Sequence, residues 1–222
     1  MSSIHLSKGA KSIMLAALTL LGLSACTNVY YNAMERFGYE KRDILVNRVE
    51  RSRDAQADAQ ETFRTALERY QSVVDTPDTE LRQRYEEIRD AYEDSEAAAA
   101  RVSSRINDVE SVAEDLFDEW DAELERYTNQ DLRRASERQL AGTREQYQQL
   151  ISQMRQTEEH MTPVLRTFED QVLFLRHNLN AQAIGALRTE LSQIRSDVNQ
   201  LIENMEHSIA QSEAFIRQLR NE

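Results

Sequence analysis

The side chains able to do chemistry are few. Cys26 is the only cysteine in the 222 residues, and it closes the run Leu23-Ser24-Ala25-Cys26. A thiolate is the strongest nucleophile among common side chains, so this position suits acyl or alkyl transfer. The histidines beyond it are His160, His177 and His207. A di-iron helical site needs two Glu-x-x-His motifs on inward faces. Here Thr157, Phe174 and Asn204 stand three residues before the histidines, so that motif is absent. Glu203 and His207 are one turn apart, a spacing commoner in surface contacts than in metal sites. The acidic segment 114–123 (Glu-Asp-Leu-Phe-Asp-Glu-Trp-Asp-Ala-Glu) lacks the glycine and ligand spacing of a calcium loop. No Gly-x-Ser-x-Gly elbow and no glycine-rich phosphate loop occurs. The expectation is a non-enzymatic protein with no cofactor and no metal.

The elements that position Cys26 come first in the chain. Lys8 and Lys11 precede residues 13–23, IMLAALTLLGL, a short apolar run followed by small residues. A basic region, a short apolar region and a small-residue cleavage site make a secretory signal. The run is too short to span a bilayer comfortably, which takes about 20 apolar residues. Leu23-Ser24-Ala25-Cys26 resembles the lipobox of bacterial lipoproteins. That resemblance implies cleavage before Cys26, a diacylglycerol on its thiol and acylation of the new amino group. By resemblance to enterobacterial sorting rules, Thr27 in place of aspartate favours the outer membrane of a Gram-negative cell. The expected organisation is a cleaved signal over 1–25, a lipidated membrane-proximal segment over 26–40 and a helical domain over 41–222. Tyr30, Tyr31, Phe37 and Tyr39 follow the lipid, and suit either the headgroup region or packing on the end of the helical domain.

Removing the signal takes away two lysines and no acid, leaving 25 basic against 39 acidic side chains, a net of −14. That argues against a phosphate-binding surface of the kind nucleic acids need and against broad adhesion to anionic lipid. Once Cys26 is acylated no thiol remains to form a disulfide. Lys41 is the only lysine left, so the other cations are arginines, which can hold carboxylates bidentately and suit ion pairs between helices.

Apolar residues step by four and three in alternation through four runs. The first is Leu45, Val49, Ser52, Gln56, Ala59, Phe63, Ala66, Tyr70 and Val73. The second runs from Leu81 through Tyr85, Ile88, Tyr92, Ser95, Ala99, Val102, Ile106, Val109, Ala113 and Leu116 to Trp120. The third is rougher, from Leu132 through Leu140, Leu150, Met154, Met161 and Phe168 to Leu179. The fourth runs from Ile184 through Leu187, Ile194, Val198, Leu201 and Met205 to Phe215 and Leu219. Such spacing keeps one stripe facing partner helices, and no segment alternates with period two.

Asp75-Thr76-Pro77-Asp78, Thr128-Asn129-Gln130-Asp131 and Asn178-Leu179-Asn180 break the runs with capping and turn residues. Thr128 is the expected cap of the third helix, and Pro163 an expected kink. Helices are expected over 33–74, 78–127, 131–178 and 182–220. The fold class is all-α: an elongated antiparallel bundle or coiled coil of about four long helices. Hairpins opened and paired between two chains are the alternative. Ser52, Gln56, Ser95, Ser208 and Ser212 interrupt the stripes, and facing solvent is the reading preferred for them over fixing register.

Residues 30–38 (YYNAMERFG), 41–46 (KRDILV) and 170–184 (DQVLFLRHNLNAQAI) resemble an uncharacterised proteobacterial family, domain of unknown function 2959. The resemblance spans essentially the whole mature chain and implies an envelope setting, with no catalytic residues to carry over. The unusual block lies at a turn, which makes Phe174, Arg176, His177, Asn178 and Asn180 candidate partner contacts.

The expected function is that of a scaffold or partner-binding module. It would be held by Cys26 on the periplasmic side of the outer membrane, with a protein partner of unknown identity. Membrane remodelling by a helical dimer is the alternative, weakened by the lack of a basic face.

Overall fold

Long unbroken runs of helix formers with almost no glycine or proline make four long helices. The computed structural model describes residues 25–75, 81–178 and 181–221, with side chains over 41–74, 82–178 and 185–221. Helix α1 is Ala25–Asp75, α2 is Leu81–Leu124, α3 is Gln130–His177 and α4 is Ala181–Asn221. They hold 51, 44, 48 and 41 residues, or roughly 60 to 77 Å each at about 1.5 Å per residue. No strand occurs among the described residues.

Short connections turn each helix back on the one before, and α4 closes the ring by packing on α1 as well as α3. The fold is an antiparallel four-helix bundle, as the heptads predict. Ion pairs and hydrogen bonds set the register. Lys41 on α1 meets Glu119 on α2 at 3.0 Å, and Arg69 meets Asp94 at 3.3 Å. Arg144 on α3 meets Asp121 on α2 at 2.8 Å. Arg220 on α4 meets Glu50 on α1 at 2.6 Å, and Gln60 donates to Glu206 at 3.0 Å. Diagonal helices keep their backbones apart and meet through side chains. Phe63 and Tyr70 on α1 stack with Phe168 on α3, with centroids 6.4 and 6.5 Å apart.

The α1 stripe from Leu45 to Val73 is buried at every position. Ser52, Gln56, Ser95, Ser208 and Ser212 are fully buried too, which overturns the solvent-facing reading. Two of the serines satisfy themselves locally, on the carbonyl four residues back. Ser95 donates to the Ala91 carbonyl at 2.7 Å, and Ser212 to that of Ser208 at 2.9 Å.

Other details differ from the sequence expectation. Helix α1 begins at Ala25, eight residues before the predicted start. Helix α2 ends at Leu124 rather than 127. The cap of α3 is Asn129, not Thr128: its side chain accepts from the amides of Asp131 and Leu132 at 2.9 and 3.3 Å. Asparagine reaches both amides from an extended backbone, a geometry that favours it at this position. Leu132, placed on the stripe, is 57% exposed. Trp120 is only partly buried, packing on the core while its indole N–H donates to Ser136 Oγ at 2.9 Å. Helix α3 continues through Pro163, which lies on its exposed side. Residues 76–80, including Pro77, lie outside the described residues.

Candidate functional site

Two regions at opposite ends of the bundle hold the residues singled out by sequence. Cys26 lies in the first turn of α1, directly after Ala25, while Leu23 and Ser24 lie outside the described residues. Pairing of Lys41 with Glu119 puts the start of α1 at the same end as the α2–α3 turn and the last residues of α4.

The other end carries the candidate contact residues. The α3 stripe turns Val172 and Leu175 inward, so Leu173 and Phe174 face out, 47% and 40% exposed. Arg176 and His177 are exposed beside them. Asn178 ends the helix. Its backbone N–H donates to the Leu175 carbonyl at 3.2 Å and its side-chain amide to the Phe174 carbonyl at 2.9 Å. Asn178 is therefore engaged in stopping α3. Asn180 lies outside the described residues. Phe174, Arg176 and His177 do share one exposed end, with Leu173 enlarging the apolar part. Sequence reasoning left Leu173 out because the stripe hides which flank of a buried pair faces water.

The acidic segment is partly neutralised. Lys41 pairs with Glu119 and donates to the Asp115 carbonyl at 3.3 Å, while Arg144 takes Asp121. Arg144 also lies over the Phe117 ring, 5.0 Å from its centroid. No three groups among His, Cys, Asp and Glu converge as a metal site among the described residues. Glu203 and His207 are both exposed. His160 instead meets Asn204, its Nδ1 2.8 Å from the Asn204 amide nitrogen. Thr157 Oγ1 donates to the Gln153 carbonyl at 3.0 Å and lies 3.3 Å from that of Asn204. The residues that break the Glu-x-x-His pattern thus form a polar joint between α3 and α4.

Sequence reasoning missed a second joint. Arg155 donates to Glu110 on α2 at 3.1 Å, to Asn107 at 2.7 Å and to Glu158 at 2.6 Å. The bond to Glu110 raises the Arg155 pKa above the usual arginine value. Burial, helped by Glu110, pushes the neighbouring Tyr147 phenol up to about 12. Arg188 on α4 caps α1 by donating to the Val74 carbonyl at 2.7 Å. Arginines off the apolar stripe carry no period, so only the register of neighbouring helices reveals these partners.

A groove of about 430 Å³ runs between α1 and α2, lined by Asp58, Glu61, Arg69, Asp94, Ala97 and Arg101 among others. Within it Arg69 pairs with Asp94.

A family model described as protein of unknown function (DUF2959) matches residues 30–219. The chain belongs to that family. The match takes in all four helices and the blocks at 30–38, 41–46 and 170–184, so both ends of the bundle lie within the family domain. Comparison with curated proteins and with solved structures finds no match.

Proposed function

We propose that this protein is a lipid-anchored, non-enzymatic rod of a Gram-negative envelope. It would be tethered through acylated Cys26 to the periplasmic face of the outer membrane and would present the α3–α4 end to a protein partner. The observation that carries the reading is the continuity of α1. One helix runs from Ala25, beside the cysteine, to Asp75 at the opposite end. An anchor on Cys26 therefore holds the whole bundle, and the Leu173–His177 patch stands about 75 Å from it. In this reading the lipid sets location, the rod sets reach and the exposed Leu173, Phe174, Arg176 and His177 select the partner. An aromatic ring beside an arginine is the type of group that dominates protein interfaces. No helix among the described residues is long and apolar enough to cross a membrane, so in this proposal the lipid does the holding.

Two experiments test it. Radiolabelled palmitate is expected to enter the wild-type protein and not the Cys26→Ser variant, which is expected to leave the membrane fraction; a Cys26→Ser protein still labelled overturns the anchor. A photo-crosslinking residue at Phe174 in intact cells is expected to capture one reproducible envelope protein. Capture at an equal rate from mid-rod positions overturns the assignment of the contact face.

A further inference from the structure

Three of the four seams between neighbouring helices are fastened by charge. Lys41 and Arg69 on α1 pair with Glu119 and Asp94 on α2. Arg144 and Arg155 on α3 pair with Asp121 and Glu110 on α2, and Arg220 on α4 pairs with Glu50 on α1. The α3–α4 seam has no ion pair among the described residues. Polar contact there runs from Asn204 to His160 and Thr157.

The residues flanking that seam show why. Toward α4, helix α3 presents Gln146, Gln149, Gln153, Gln156 and His160. The facing flank of α4 is Asn204, His207, Gln211, Ala214 and Gln218. Both sets step by three and four, so each lines one side of its helix. The bond of His160 to Asn204, and the groove that Gln146 shares with Gln218, put the two sets level. The uncharged flanks extend from Gly142 to Pro163 and from Gln200 to Asn221, a length of about 30 Å. Glu145 and Glu159 on α3 and Glu203 on α4 are exposed at the edges of this face. Arg217 leans away from it to Glu213, at 3.7 Å.

The amides on this face are unengaged. Gln146, Gln149, Gln153, Gln156 and Gln211 make no hydrogen bond with a described residue. Elsewhere Gln60, Gln83 and Gln193 each donate to a carboxylate. Between the two flanks lies a groove of about 260 Å³, with Leu150, Ala214 and Phe215 in its lining.

Charge and symmetry decide what such a face can meet. A cationic or anionic partner finds no opposite charge on it. A carboxamide both donates and accepts, so a row of them is complementary to another such row. A two-fold pair of identical chains requires a patch complementary to itself. Two copies, each of net charge −12, repel wherever their acidic surfaces meet. The α3–α4 flanks bring none of those charges into the contact. A face about 30 Å long and two helices wide buries about 600 Å² per copy, or about 1,200 Å² in all, the lower limit of a specific interface.

We propose that the α3–α4 face is a self-association surface: a second copy of this chain lies on it by the same face, and glutamines of the two copies bond across. The contact does not depend on the Cys26 anchor or on the Leu173–His177 patch.

The test uses the full chain in its own cells. A photo-crosslinking residue replaces Gln149, Gln211 or, as the reference, Ser104, an exposed position on α2, the helix diagonal to α4. A product of twice the chain mass is expected from 149 and 211, and little or none from 104. Gln149→Glu with Gln211→Glu, read from a crosslinker at Gln156, brings two carboxylates from each copy into the interface and is expected to cut that product about tenfold. Ser104→Glu with Ser111→Glu adds the same charge away from the face and is expected to leave it unchanged. All four substitutions are at exposed positions, so the fold is kept. Equal product from 104, no doubled product from 149 or 211, or a product indifferent to Gln149→Glu with Gln211→Glu overturns the proposal. A product of another mass from both sites gives the face to a different protein and overturns it as well.

Discussion

From Ser52 to Ala59, α1 offers the core a serine, a glutamine and an alanine; from Phe63 to Tyr70 it offers two aromatic rings. The facing helices match each region. Around the middle stand Thr157, Ser208 and Ser212, all buried, with the Met154 thioether beside Ser52. Toward the far end Phe168 stacks between Phe63 and Tyr70. The aromatic region gains stability from volume, because large rings bury the most apolar area. The middle gains little from area and carries an electrostatic burden: Gln56 Oε1 and Ser208 Oγ are buried with no hydrogen-bond partner. Ser52 donates only to the Met154 sulfur, at 3.7 Å. A polar layer of this kind lowers stability while making slipped registers costlier still, since a slip would bury the same groups among rings.

The largest effect expected from this contrast is at Phe168. Phe168→Ala opens a cavity between two rings and is expected to cost about 3–5 kcal/mol, read as a lower urea midpoint at constant m-value. A loss below about 1 kcal/mol would show that the far end relaxes as easily as the middle.

Gln56→Met should move the other way. It removes an unpartnered buried oxygen at similar length, with an expected gain of about 2 kcal/mol. If the polar layer specifies register, the same variant shows mixed oligomeric states in sedimentation; a stabilised and uniform variant would assign the layer no such role.

Alkaline titration probes the aromatic groups. The Tyr147 phenol is raised from 10 to about 12 by burial. The folded state therefore keeps its proton where the unfolded state has lost it. Stability is complete below pH 10 and falls as pH rises from 10 to about 12. The loss expected is between about 1 and 2 kcal/mol, and Tyr147→Phe should flatten that part of the stability–pH curve. Burial raises Tyr70 in the same direction, so some alkaline loss should persist in the variant.

Arg155→Ala removes the joint of α3 to Glu110 and Asn107, and about 1 kcal/mol is expected, shrinking in high salt. Arg134→Ala, at a solvent pair with Asp131 near the start of α3, should change stability by less than about 0.5 kcal/mol.

The bundle was legible in the sequence because a period of 3.5 records which face of each helix must leave water, and the turn residues mark the ends. The stripe positions of α1 match their burial at all nine places from Leu45 to Val73. Leu132 fits the period and is nevertheless exposed, since a period cannot say which neighbours the end of a helix packs against. Thr128 and Asn129 were both competent caps, and only the backbone geometry at residue 129 chose between them. At the candidate contact end, the block 170–184 stands out by composition. That Phe174, Arg176 and His177 face water while Asn178 stops the helix was not legible, because helical phase at a terminus depends on the residues packed beneath it.

The sequence by itself determined four helices, their up-and-down order and the inward stripe of each, since these depend on local propensity, spacing and short connections. It also marked Cys26 as the one thiol and put it next to the first helix. Only the tertiary structure decided which ends coincide. That α4 closes against α1, and that the α2–α3 turn lies at the same end of the bundle as Cys26, are consequences of register. Register arises from side chains on different helices interlocking, such as Lys41 with Glu119 and Arg220 with Glu50. Those pairings join residues 78 and 170 positions apart, and no local pattern encodes them.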